Sequence, residues 1–410
     1  MDEKVKGCNK RELFSRGNFM FRKRMNAAFL VIMIVLLSAC AQEEQVELEE
    51  YPIKQNAEML TVGEEEIVDK VQAAIDNEAE TAAMKTMFGE HCIADQTFEV
   101  ELSEYDGNVY VVPYAPYSEE PEFYIDIVQG GKVLTSLWEY IPEELEGETF
   151  TSLDAIAFFD TNFDDCTDIV LIETYGDTTF AAVYLGFEKE ADEYDQHFYA
   201  DDIFSENITE QLDTLTIPEI REFVTRGKKN GEFTSYQEAY RLKSYLCKLG
   251  NDGDMEYALI YFDEDDVPEL VVSTGYWVSM YTYSEGRLYT LMDQWGFGAM
   301  GNAGYEYSPK KNSLRNYNND FAGLLLYTTY MGISEQHTLD TIATIETYNF
   351  DDANGNGMPD EEEEDSIGEY GVSYIDGVEV TEEECAVYDM GEYEYIFGSM
   401  SFDEFITTLE

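Results

Sequence analysis

From Asp352 the chain reads D-x-N-x-N-G-x-x-D-x-x-E, which places Asp352, Asn354, Asn356, Gly357, Asp360 and Glu363 at fixed intervals. Calcium takes about six to eight hard oxygens, and one loop can supply them from its positions 1, 3, 5, 7, 9 and 12. The seventh position gives a backbone carbonyl, here that of Met358. Asn at the third and fifth positions keeps a ligand oxygen while easing repulsion between carboxylates. Gly357 stands where such a loop turns sharply. The spacing therefore predicts a calcium loop with Asp352, Asn354, Asn356, Met358, Asp360 and Glu363 as ligands.

Two other acidic stretches echo each other. "DTNFDDCTDIVLI" at 160 and "YFDEDDVPELVVS" at 261 align at an offset of 101, so Asn162 matches Asp263, Asp164 matches Asp265 and Asp168 matches Glu269. Each copy reads as an apolar strand, an acidic turn and a second apolar strand. Both copies resemble the acidic turns of FG-GAP and VCBS-type repeats, and that resemblance implies Asp160, Asn162, Asp164 and Asp168 as a calcium set in the first copy, with the Cys166 carbonyl as a further ligand. In the second copy Tyr261 replaces the first ligand, and that stretch reads as a turn without metal. Two copies are too few for a closed propeller.

The 352 loop resembles the calcium loops of EF-hands and, more closely, the DxNxNGxPD repeats of thrombospondin type 3 and related bacterial surface proteins. Pro359 and Glu364 depart from the EF-hand pattern, so the resemblance implies a calcium loop without a helix–loop–helix pair. The first echoed stretch departs from the FG-GAP and VCBS pattern at Asp165, where the family has Gly; the position favours φ > 0, which Asp tolerates better than most residues.

Other chemistry finds little footing. His91, His197 and His337 are the only histidines, far apart and in no metal-binding or protease motif. No nucleophile elbow, phosphate loop or Ser-x-x-Lys occurs. The chain reads as a binding or structural module and not an enzyme; the alternative is an extracellular hydrolase of carbohydrate or peptidoglycan using paired carboxylates. Tyr276, Trp277, Tyr281, Tyr283, Trp295 and Phe297 read first as strand packing, and otherwise as a platform for a surface glycan or peptide.

The amino terminus supplies a location. Eight Lys and Arg lie in the first 40 residues, followed by "MNAAFLVIMIVLLSAC". Its apolar run from Ala27 to Leu37 is about half of what spans a bilayer, as in a secretory signal. "LSAC" resembles the lipobox of bacterial lipoproteins, which implies cleavage before Cys40, lipidation of its thiol and anchoring on the extracytoplasmic side of the bacterial membrane through acyl chains. Beyond Cys40, sixteen Lys and Arg face 84 Asp and Glu. Such a field repels phosphate backbones and excludes nucleic acid as a partner. Cys92, Cys166, Cys247 and Cys385 show no C-x-x-C spacing, and no pairing follows from their positions.

These elements must be positioned by a fold. Residues 1–40 form the signal, 41–55 an acidic tether, 56–200 a first domain and 201–410 a second. The spacing predicts an amphipathic helix from Glu64 to Met87, helices capped by Thr216 and Ser235, and a terminal helix capped by Ser401. Strands fill most of the remainder. The expected class is α+β: two antiparallel-sheet domains with a few helices, built on propeller-blade-like strand–acidic turn–strand units that close into no propeller.

Overall fold

The computed structural model describes residues 78–187, 197–299, 301–359 and 371–410. All belong to one compact unit, Leu60–Glu410. The chain is α+β, with antiparallel sheets and a few helices that form no closed barrel or propeller among the described residues.

Helix α1 (Glu78–Phe88) covers one face of the first sheet. The part of the expected helix before Glu78 lies outside the described residues. Strands β1 (Phe98–Glu101), β2 (Asn108–Tyr114), β3 (Tyr124–Gln129) and β4 (Lys132–Trp138) lie in the order β1-β2-β3-β4. Met84 and Phe88 of α1 pack against Val112 and Val128, while Val111 and Ile127 on the opposite face enter the main core. Alternation along each strand sends neighbouring residues to opposite faces.

The second sheet holds β5 (Phe150–Phe159), β6 (Asp168–Tyr175), β7 (Thr178–Gly186) and β8 (Phe198–Ala200). Three helices follow: α2 (Asp202–Gln211), α3 (Ile217–Thr225) and α4 (Tyr236–Leu249). Each starts where a side-chain oxygen accepts a free backbone N–H: Asp201 from Phe204, Thr216 from Glu219, and Ser235 from Glu238. Such a cap is worth about 1 kcal/mol.

The third sheet, β9 (Glu256–Ile260), β10 (Glu269–Ser273), β11 (Trp277–Ser284) and β12 (Arg287–Gly296), is covered on both faces. Leu270 and Val272 point into the main core, and Val271 into a second cluster with Phe262, Tyr307 and Leu314. Double coverage explains why β10 reads as an unbroken apolar run. The second cluster rests against a seven-stranded sheet of order β18-β17-β16-β15-β14-β13-β19. Its strands are β13 (Tyr305–Ser308), β14 (Ser313–Asp320), β15 (Leu325–Ile333), β16 (Leu339–Tyr348), β17 (Val372–Ile375), β18 (Val378–Val380) and β19 (Glu394–Tyr395). Helix α5 (Glu382–Cys385) precedes β19, and α6 (Phe402–Thr408) closes the chain with Ser401 as its cap.

The main core runs from Phe98 in β1 to Leu409 after α6, so the strands before and after residue 200 share one apolar interior. Among the described residues no helix is long and apolar enough to cross a membrane.

Candidate functional site

The echo at an offset of 101 is structural. Phe159 pairs with Asp168 across the first acidic turn, and Ile260 pairs with Glu269 across the second. Both acids are fully buried. Asp168 Oδ2 accepts the Thr161 N–H at 2.7 Å, and Glu269 Oε2 accepts the Phe262 N–H at 2.9 Å, in each case seven residues back. Each carboxyl thereby ties the end of its turn to the beginning. Asp168 Oδ1 also accepts the Gly186 N–H at 2.9 Å. A Cβ on Gly186 would meet the Thr167 carbonyl oxygen at 2.5 Å, so only glycine lets β7 come this close.

The first turn is wound around Asp160. Its Oδ1 accepts N–H groups from Asn162, Phe163 and Asp164, and its Oδ2 accepts that of Asp165 at 3.1 Å. Asp165 has φ 68°, the left-handed conformation expected at the position where the resembled repeats carry Gly. Asn162 Nδ2 donates to Asp164 Oδ2 at 2.9 Å, and Asp164 Oδ1 accepts the Cys166 N–H at 2.9 Å. Three side chains from beyond residue 225 then converge on this turn. Lys243 Nζ donates to the Asn162 carbonyl at 2.6 Å, Asn230 Nδ2 to the Phe163 carbonyl at 3.3 Å, and Arg287 Nη1 pairs with Asp165 Oδ1 at 2.6 Å.

Burial pushes Asp160 up to about 7, and the charge of Asp164 adds to the rise. Burial raises Asp164 as well, opposed by the Lys243 ammonium. Asp168 is pushed well above the carboxylate range by burial, then by Asp164 and Asp160. Three acids in one turn thus carry an electrostatic cost that a cation offsets.

In the second turn Asp263, Asp265 and Glu269 bring one oxygen each to within 4.8 Å of one another. The Asp265 N–H donates to Asp263 Oδ1 at 2.9 Å and the Val267 N–H to Asp265 Oδ1 at 2.7 Å. Burial lifts Glu269 to about 8, with Asp263 and Asp265 adding to the rise. The turn read from sequence as metal-free thus gathers its carboxylates, while the turn read as a calcium site gathers a lysine. Tyr261, in place of the first ligand, is 44 % exposed and lies under Lys310.

In the 352 loop the spaced side chains accept backbone N–H groups from residues two to five positions on. Asp352 Oδ1 accepts the Asn356 N–H and its Oδ2 the Gly357 N–H, both at 3.0 Å. Asn354 Oδ1 accepts from Asn356 at 2.9 Å, and Asn356 Oδ1 from Met358 at 2.8 Å. Gly357 has φ 72°. The side-chain oxygens of Asp352, Asn354 and Asn356 are thus held by the backbone they accept from, Asn354 and Asn356 remaining exposed, and each oxygen keeps lone-pair capacity. The loop follows β16 and precedes β17, and no helix flanks it on the described side. Asp360, Glu363 and Cys40 lie outside the described residues.

An open cleft of about 850 Å³ lies between α3, α4 and α6. Arg226, Lys228 and Arg241 line it beside Tyr245, Phe402 and Leu409. Lys228 pairs with Glu238 at 2.9 Å, Arg241 donates to the Leu409 carbonyl at 3.0 Å, and the Arg226 guanidinium sits over the rings of Phe223 and Tyr245. In so acidic a chain this is a local reversal of sign: seven of the 24 Lys and Arg fall between Arg221 and Lys248.

The aromatic stretch after Gly275 goes mainly to packing. Trp277 and Tyr281 are buried, Trp295 packs on Tyr305 and Phe297 on Phe397, and Tyr276 is exposed. Cys92, Cys247 and Cys385 are free thiols.

Compared with protein-family models, with curated proteins and with solved structures, the chain matches none.

Lys243 was missed in the sequence, although a signal was there. It lies four residues after Ala239 and three before Leu246, on the stripe of α4 that faces the core. A lysine among buried positions of an amphipathic helix needs an acidic or carbonyl partner.

Proposed function

We propose that this protein is a calcium-binding lipoprotein, anchored through acyl chains on Cys40 to the extracytoplasmic face of a bacterial membrane, and serving there as a binding or structural module. The observation that supports the reading is the run of spaced oxygens in the 352 loop, where Asp352, Asn354 and Asn356 are held by hydrogen bonds from the N–H groups of Asn356, Gly357 and Met358. With the Met358 carbonyl, Asp360 and Glu363, these supply the hard oxygens that calcium takes. The carboxylates of Asp263, Asp265 and Glu269 offer a second place for the same ion. In this reading a protein or glycan ligand of the cell surface uses the cleft lined by Arg226, Arg241 and Tyr245, where cations and rings lie side by side.

The test is a melting curve of the chain from residue 41 onward, with calcium or magnesium added to chelator-treated protein. Calcium raises the melting temperature by mass action, about 2.7 kcal/mol at a hundredfold excess over its dissociation constant. Magnesium does less, since it dehydrates reluctantly and demands a tighter octahedron. Equal shifts with both ions, or none with calcium, contradict the reading.

A further inference from the structure

We infer that the ammonium of Lys243 is the resident cation of the 160–168 turn, and that it keeps divalent ions out of that turn. The inference stands apart from the calcium reading of the 352 loop, which uses other residues.

The two echoed turns begin with the same problem and solve it differently. Each ends in a fully buried acid that accepts a backbone N–H from the turn's beginning. Each has further carboxylates acting on that acid, Asp160 and Asp164 in the first turn and Asp263 and Asp265 in the second. In the first turn a lysine that is only 6 % exposed crosses from α4 and donates to the Asn162 carbonyl at 2.6 Å. Its ammonium also lies 4.7 Å from the centre of the Tyr281 ring, which favours a cation on its face. It acts on Asp160 and Asp164 alike, lowering both against the rise that burial imposes. Arg287 holds the outer corner of the turn through Asp165. In the second turn no cation pairs with Asp263, Asp265 or Glu269 among the described residues, and their oxygens come together instead.

A buried ammonium this close to the turn's oxygens repels any second cation, and a divalent one most strongly. It also satisfies the Asn162 carbonyl. The buried Asn162 Oδ1 is without a hydrogen-bond partner, so the turn keeps one oxygen that no group among the described residues answers. Loss of the ammonium leaves that oxygen, the carboxylates of Asp160 and Asp164 and the Asn162 carbonyl with only Arg287, at the outer corner of the turn, as a neighbouring cation among the described residues. The lysine therefore decides which of two similar turns is open to metal.

The test uses the chain from residue 41 onward, with terbium as a luminescent calcium substitute and calcium itself in equilibrium dialysis. Lys243→Met is expected to bind one more ion per chain than the wild type, with new terbium emission excited through Tyr281. Lys243→Arg keeps a charge at the site and is expected to match the wild type. Asp164→Asn in the wild-type background is expected to leave the number of bound ions unchanged. Loss of one ion in Asp164→Asn overturns the inference, as does a folded Lys243→Met that binds no more than the wild type. Should Lys243→Met not fold, the Asp164→Asn count alone decides. Because the readout is a difference between variants, a wild type that binds no calcium at all sinks the calcium reading and leaves this comparison intact.

Discussion

Glu173→Met should stabilise the protein, and increasingly so as pH rises. Glu173 lies in the middle of β6, opposite Leu153 on one side and Phe180 on the other. It is fully buried, and neither of its carboxyl oxygens has a hydrogen-bond partner. Burial, then the charges of Glu139 and Asp154, push its proton affinity well above the carboxylate range. A buried polar group without a partner costs about 1–3 kcal/mol, and methionine fills nearly the same volume without that cost. The pH dependence adds to this. In the unfolded chain Glu ionises near pH 4.3, whereas the folded protein holds the proton to higher pH. The stability tied to the neutral carboxyl is thus complete below about pH 4.3 and is lost as pH rises toward the folded value, by at most about 1.4 kcal/mol per pH unit. Urea unfolding at pH 5, 6 and 7 measures both effects. The expected result is a variant more stable at every pH, with a gap that widens by up to about 1.4 kcal/mol per unit. A variant less stable than wild type, or a gap independent of pH, refutes the reasoning.

Two further outcomes follow from single features. Gly186→Ala should destabilise by about 1–3 kcal/mol, the usual cost of overpacking, because the added Cβ meets the Thr167 carbonyl at 2.5 Å and Glu104 Oε1 at 2.7 Å; chemical denaturation measures it, and an unchanged midpoint contradicts the close approach. Cys40→Ala should abolish metabolic labelling with a fatty acid and leave an unprocessed or released species; unchanged labelling removes the anchor.

Much of the framework was legible because local chemistry decides it. Thr216, Ser235 and Ser401 cap helices where their spacing from the next carboxylate or amide predicts, and each cap is a contact within four residues. The echoed strands were legible because β5, β6, β9 and β10 are apolar runs separated by acids, and the matching pairs Phe159–Asp168 and Ile260–Glu269 keep the offset of 101. The bends at Asp165 and Gly357 were legible as positions that want φ > 0. What the sequence hid is long-range. Lys243 stands 81 residues from the carbonyl it serves, and Arg287 stands 122 residues from Asp165. Nothing local to the turn records either partner. The two-faced burial of β9–β12, which comes from packing the seven-stranded sheet on one side and the helices on the other, left only the unbroken run in β10 as its trace.

The central claim is that calcium binds at the 352 loop, and the most direct measurement is calorimetric calcium titration of the wild type beside Asp352→Ala/Glu363→Ala. These two carboxylates stand at the first and twelfth positions of the proposed ligand pattern. The account predicts a saturable calcium heat in the wild type and the loss of one binding event in the double variant, with magnesium giving a weaker signal in both. Identical calcium isotherms for the two proteins would contradict it and leave the loop as a solvated acidic turn.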